Sequence, residues 1–527
     1  IEERMSQEDK ERLKAIYEPT IVTVPPDDSR RGLCVMPDGE IRAYGEETLN
    51  GERVSCYYSS VDGGLTWKAY SSKGNLRGIS QDNISADRCG MGACVYFPEV
   101  GRFVTTWCCK GEGSFALLSE IGPEDPCPRK IPISDQLFLH PFQPKKLRND
   151  NRIIVTAYQL DKAYNANPIC CYSDDFGESW TSVKLESAPY YEPTYPTVDE
   201  RWFNTGNEPV FMEMPNGRLM LIARTYHDYF YVYYSEDRGA SWTKGEPSHF
   251  HGTNTTPFFL EMSDGRFLFF WDNTQILPET NHENLPKYID GDPGFIIFSN
   301  RDAAHAAVSR DGLHWKGFRE ILLSVLRNRP DFRTYGDPDS SLDKSVHQFQ
   351  SIELPFGKVL VSVGQNAYSR KMLIFDPLWL EETERHEDFS RGLEHVTTHM
   401  LVKSLRGSYG KNAHCQFNRT NGALLMPTPD SCWQEALQIC RPYDPRLLFD
   451  RQGVVWNFPL MTKGEIEIQM QILSGGLRIC LCDRWFNACD DTVYELASFS
   501  FKVTRDVFPK GCWHKVVIRF DTEKREA

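Results

Sequence analysis

Polar side chains able to move a proton or hold an anion recur in this 527-residue chain at one kind of place. They stand just before an apolar run that leads into a tight turn. The positions are Arg30 and Arg31, Asp87 and Arg88, His140, Asn207 and Glu208, Thr253 and Asn254, and His347. Arg224 closes the apolar run that follows the turn after Glu208. A positioned carboxylate and an imidazole can exchange protons with a substrate, and a guanidinium fork suits a carboxylate. Glu208 and His347 therefore read as an acid–base pair, with Arg224 and Arg31 as an anion clamp. The expected geometry puts Glu208 within reach of Arg224 and facing His347. Each residue has a plain alternative. Glu208 and Arg224 can pair across a hairpin, Arg30 and Arg31 cannot both face one side of a strand, and His140, His305 and Asp87 can be structural.

Those positions need elements that bring them to one point, and two interlocking repeats supply them. Six tight turns lie between apolar runs, at Pro37-Asp38-Gly39, Glu99-Val100-Gly101, Asn149-Asp150-Asn151, Pro215-Asn216-Gly217, Ser263-Asp264-Gly265 and Pro355-Phe356-Gly357. Each reads as the first hairpin of a four-stranded blade, with a long insertion between Asn273 and Phe295. The second repeat is Ser-x-Asp-x-Gly-x-x-Trp, starting at Ser60, Ser173 and Ser235, with a copy one residue shorter at Ser309. Here Asp caps backbone amides, Gly supplies a positive φ and Trp folds back on the preceding strand. In a propeller the first strand of each blade lines the central channel, so the lead-in residues converge on the axis.

These repeats resemble the Asp boxes of the sialidase superfamily, whose members are six-bladed propellers. Glu208 through Arg224 also resembles the superfamily segment in which a Glu opens one strand and an Arg ends the next. The resemblance implies that Glu208 assists a tyrosine nucleophile and that Arg224 belongs to an arginine trio holding a substrate carboxylate. Arg30-Arg31-Gly32-Leu33 is similar, with a shift of one residue, to the superfamily's opening arginine motif. The chain departs from the pattern where the tyrosine is expected, reading His347-Gln348-Phe349-Gln350-Ser351, and the third arginine is missing unless Arg301 substitutes. A retaining sialidase of the usual kind is not implied.

The expected fold is all-β. A helical extension occupies residues 1–19, a six-bladed β-propeller residues 20–385, and a C-terminal β-sandwich of jelly-roll, lectin-like type residues 386–527. Ser6 with Asp9 three residues later marks the helix start. Alternating runs such as Glu465–Ile472 and Trp513–Phe520 mark the second domain. A net charge of −14 disfavours nucleic acid and anionic membrane as partners. No apolar run of membrane-spanning length and no leader-like start is visible, so the expectation is a cytoplasmic protein, with oligomerisation left open. The 16 cysteines avoid the stretch between Cys171 and Cys415 and read as scattered thiols. Cys480 and Cys482 lack the two-pair spacing of a zinc site, so neither metal nor cofactor is expected. The function expected is that of a glycosidase-like enzyme removing a terminal acidic or polar sugar from an oligosaccharide. A uronate-directed lyase and a non-catalytic glycan-binding propeller are the alternatives.

Overall fold

The computed structural model describes residues 1–23, 32–49, 52–71, 90–91, 94–122, 125, 127–192, 194, 203–275, 295–297, 303–323, 332–334, 346–364, 370–402, 414–417, 423–440, 449–486, 488, 493–509 and 511–527. Its dominant feature is six antiparallel sheets of propeller blades. Blade one runs Leu33–Val35, Ile41–Leu49, Glu52–Ser60 and Lys68–Ser71. Blade two has its inner strand in two pieces, Gly90–Met91 and Val95–Phe97, both paired with Arg102–Cys109. Blades three, four and five follow in simple up-and-down order. Blade six is made from both ends of the propeller: Gln350–Glu353, Val359–Val363 and Lys371–Phe375 are completed by Thr20–Thr23 from the chain start. This overlap ties the chain start to the last blade and so closes the ring.

The core is a series of apolar layers between neighbouring blades. Met212, Ile222 and Phe230 of blade four pack with Phe267, Phe269 and Trp271 of blade five. Leu268 and Phe270 on the opposite face of that blade-five strand pack with Val359, Val361 and Leu373 of blade six. The all-buried run Phe267–Trp271 follows from this arrangement, because a strand covered on both faces needs no alternation. The N-terminal helix, Gln7–Ala15, starts where Ser6 accepts a bond from the Asp9 amide, and its Leu13 joins the layer between blades six and one.

The Ser-x-Asp repeats lie between the third and fourth strands of blades one, three, four and five. Each uses the same bonds. In blade four the Ser235 hydroxyl donates to Asp237 at 2.9 Å, the Gly239 amide donates to Ser235 at 2.8 Å, and the Trp242 indole donates to the Gly239 carbonyl at 3.1 Å. Blade one repeats the pattern at 2.8 Å for all three bonds. Because strands alternate in direction, these turns stand at the end of each blade opposite the start of its inner strand. The repeats are therefore scaffold and stay away from the lead-in residues.

After residue 385 the described strands form small antiparallel sheets, compatible with a β-sandwich. They hold on to blades four and five. The Asn457 side chain bonds both backbone groups of Glu320, and Trp485 exchanges backbone bonds with Asn273 and Gln275 at 2.8 and 2.9 Å. Asp483 meets His251 at 3.1 Å. Among the described residues no helix is long and apolar enough to cross a membrane.

Candidate functional site

The site begins with a backbone peculiarity. His140, Glu208, Asn254 and Gln348 have φ values of 47°, 47°, 56° and 69°. They stand at the start of the inner strands of blades three, four, five and six, and Gly32, φ 87°, stands there in blade one. Positive φ is costly for a residue with a Cβ, and such strain persists where the surrounding structure enforces it, often at functional sites. In blade four the cause is a β-bulge. Asn207 pairs with Arg224 and Val210 with Ile222, so three steps on one strand are matched by two on the other. A bulge re-aims the side chain it carries.

Three of these residues meet in one hydrogen-bonded cluster. The Glu208 carboxylate, 3% exposed, accepts from the Arg224 guanidinium and the Thr256 hydroxyl at 2.5 Å each, both on Oε2. Its Oε1 lies 3.0 Å from Nδ1 of His140. Arg224 donates through Nε to Asn254 at 2.9 Å. Burial pushes the Glu208 pKa up, but Arg224, His140 and Thr256 outweigh it and hold the carboxyl well below the usual range. Glu208 is therefore ionised, and an ionised carboxylate can only accept, so Nδ1 of His140 carries the proton and donates it. The His140 side chain is 53% exposed, which puts the imidazole at the solvent side of a buried charge pair. Its ring packs against Tyr158 with centroids 5.6 Å apart. The Asn207 side-chain oxygen is buried beside this cluster in sequence with no hydrogen-bond partner.

The structure thus brings together Glu208, Arg224, His140 and Asn254, four of the residues singled out from the sequence. Thr256 was missed, and its signal was slight: a third hydroxyl in the run Thr253-Asn254-Thr255-Thr256. His347 does not bond Glu208. It is 1% exposed and lies one residue before the positive-φ position of its blade. His305 also stands apart, in the third strand of blade five, where its Nδ1 lies 3.0 Å from the Ala303 carbonyl and 3.2 Å from the Asn273 amide. Burial pushes its imidazole down to about 3, which keeps it neutral. Arg30, Arg31, Asp87, Arg88 and Arg301 lie outside the described residues. Among the described residues no group of three or more His, Cys, Asp or Glu side chains is arranged to hold a metal ion.

Residues 126–332 match the BNR repeat-like domain, a stretch that contains the Asp boxes of blades three, four and five. No curated protein matches the sequence. Among solved structures, the chain is similar to a protein of unknown function from Dyadobacter fermentans at 14% identity and a TM-score of 0.43, covering 68% of this chain and 97% of that one. It is also similar to a Hadza microbial sialidase at 13% identity and a TM-score of 0.42, covering 70% and 67%. A sialidase from Streptococcus pneumoniae aligns at 9% identity and a TM-score of 0.42, covering 71% and 72%. With its own six blades and four Asp boxes among the described residues, the chain is a six-bladed β-propeller with BNR-like repeats.

Proposed function

We propose that the channel end centred on Glu208 binds the terminal sugar of a glycan, acidic or strongly polar, and that His140 transfers a proton to or from it. The observation supporting this is the exposed imidazole bonded through Nδ1 to a buried, ionised carboxylate. That bond places the Nδ1 proton against Glu208 and orients the ring, leaving Nε2 as the nitrogen able to exchange a proton. Glu208 is then a positioning residue, since its own proton is absent throughout. Arg224 and Thr256 keep it so.

Hydrolysis is the first reading. His140 would take a proton from an attacking water or return one to the leaving oxygen as the glycosidic C–O bond breaks. A lyase is the second, favoured by one specific observation: the Glu208 carboxylate is committed to three partners, which leaves one base beside one arginine. In that case the base removes a proton next to a uronate carboxylate, the C–O bond to the leaving group breaks, and a C=C bond forms. A panel of sialylated and uronate-terminated oligosaccharides, read by mass spectrometry and ultraviolet absorbance, tests both. A product gaining one water supports hydrolysis, and an absorbing product without added water supports elimination. Binding with no turnover on any member leaves the propeller a glycan-binding module and refutes the enzymatic reading.

A further inference from the structure

We infer that Gln348 is the ligand-contacting residue of blade six, in the place Glu208 holds in blade four. In blade six the Gly364 amide donates to the His347 carbonyl at 2.7 Å, while Gln350 pairs with Ser362. The step from 347 to 350 is thus matched by the step from 364 to 362, three residues against two. Blade four shows the same bulge, from 207 to 210 against 224 to 222. His347 therefore corresponds to Asn207, Gln348 to Glu208 and Gly364 to Arg224. The two central residues share the left-handed conformation, with φ 69° for Gln348 and 47° for Glu208.

The burial pattern agrees with this assignment. Val346, His347 and Phe349 are buried, whereas Gln348 between them is half-exposed. A bulge that holds a long polar side chain at positive φ, at the channel end of an inner strand, is poorly explained by packing. Blade three shows the same kind of irregularity around its positive-φ residue. Leu139 pairs with Tyr158 but Lys145 with Ile154, so six steps are matched by four, and the residue inside the irregularity is His140. At the matching place in blade four Arg224 supports the carboxylate, whereas in blade six the matching residue is Gly364, which has no side chain to take that part. A neutral amide carries both donors and an acceptor, which suits a sugar hydroxyl or acetamido group and supplies no proton-transfer chemistry. Blade six would thus bind and select while His140 of blade three transfers the proton, positioned by Glu208 of blade four.

The role assigned to Gln348 rests on the glycan reading above, but its placement does not, and two measurements separate them. The first is alkylation of a Gln348→Cys variant of the full chain by iodoacetamide, mapped by peptide mass spectrometry. Buried Cys170 and exposed Cys127 serve as internal standards. Reaction at a rate near that of Cys127 is expected, and protection like that of Cys170 overturns the placement. The second is saturation-transfer NMR with N-acetylneuraminic acid, glucuronic acid and N-acetylglucosamine against the parent and Gln348→Ala, with melting curves for both. At least one sugar is expected to bind the parent and to weaken about tenfold in the variant, the value of one net hydrogen bond. Unchanged affinity in the variant overturns the binding role of Gln348. A reactive thiol at this position with no sugar held by the parent refutes the glycan reading while supporting the placement.

Discussion

Glu208 and Arg224 are both buried, and each is the other's counter-charge at 2.5 Å. Removing one member of such a pair leaves an uncompensated charge, at a cost of about 3–5 kcal/mol. Glu208→Gln should therefore lower the melting temperature measurably as well as reduce turnover, and Arg224→Met should do the same. Recovery of much of the lost stability when both changes are combined, in a double-mutant cycle, is the expected signature of a pair; additive losses would argue against direct coupling. At this scale the sequence was informative about which residue types gather and less so about which of two neighbours faces inward. Glu208, His140 and Asn254 could be picked out because each precedes an apolar run. In blade six the same rule selects His347, whereas the residue at positive φ is Gln348. A one-residue error in a strand exchanges the two faces, and a bulge shifts the phase without leaving a glycine to mark it.

Elements were more legible than residues, because the turns that define them are local. In the Asp box of blade four, Asp237 accepts from the Ser241 hydroxyl at 2.6 Å and the Ser241 amide at 2.8 Å. A side chain that satisfies its own turn needs no distant partner, so its spacing can be recognised in sequence. Asp237→Ala should cost about 1–2 kcal/mol by analogy with a lost helix cap, lowering the melting temperature while leaving turnover unchanged. The Ser241 hydroxyl, with nearby amides, holds the Asp237 carboxyl below its ordinary value. Its contribution to stability is therefore present above about pH 4, where an unfolded Asp is ionised, and is lost as the pH falls through the lower folded-state value. Denaturant midpoints of parent and Asp237→Ala should accordingly converge on acidification. A gap that stays constant down to the acid transition would contradict the assignment. The bulges, by contrast, carry no such local signature.

The propeller is closed by pairing its first strand, Thr20–Thr23, with Lys371–Phe375, and braced by the C-terminal sheets. Arg319 shows the bracing most directly. It is fully buried in blade five, donating to the Trp379 carbonyl at 2.6 Å, to Glu382 at 2.7 Å and to the Asn457 carbonyl at 3.3 Å. Ending the chain at residue 385 strips the last of these and uncovers the backbone groups of Asn273 and Glu320 that Trp485 and Asn457 satisfy. The truncated propeller should melt well below the full chain and show increased dye binding. Equal melting temperatures would show that the C-terminal sheets contribute no support. None of these bonds between the propeller and the C-terminal sheets was legible in sequence, since they join backbone groups far apart along the chain.

Convergence of three blades on one proton-transfer group is the claim on which the rest depends, and His140 is where it can be tested with least damage. The side chain is exposed, so replacing it removes little packing. Asn tolerates the left-handed backbone that His140 adopts, whereas Ala would add strain of its own. The measurement is the turnover of His140→Asn on whichever oligosaccharide the parent cleaves, taken together with its melting temperature. A fall of about 10²–10⁴-fold in turnover at a melting temperature close to the parent's is the predicted result. Turnover within a few-fold of the parent would contradict the account.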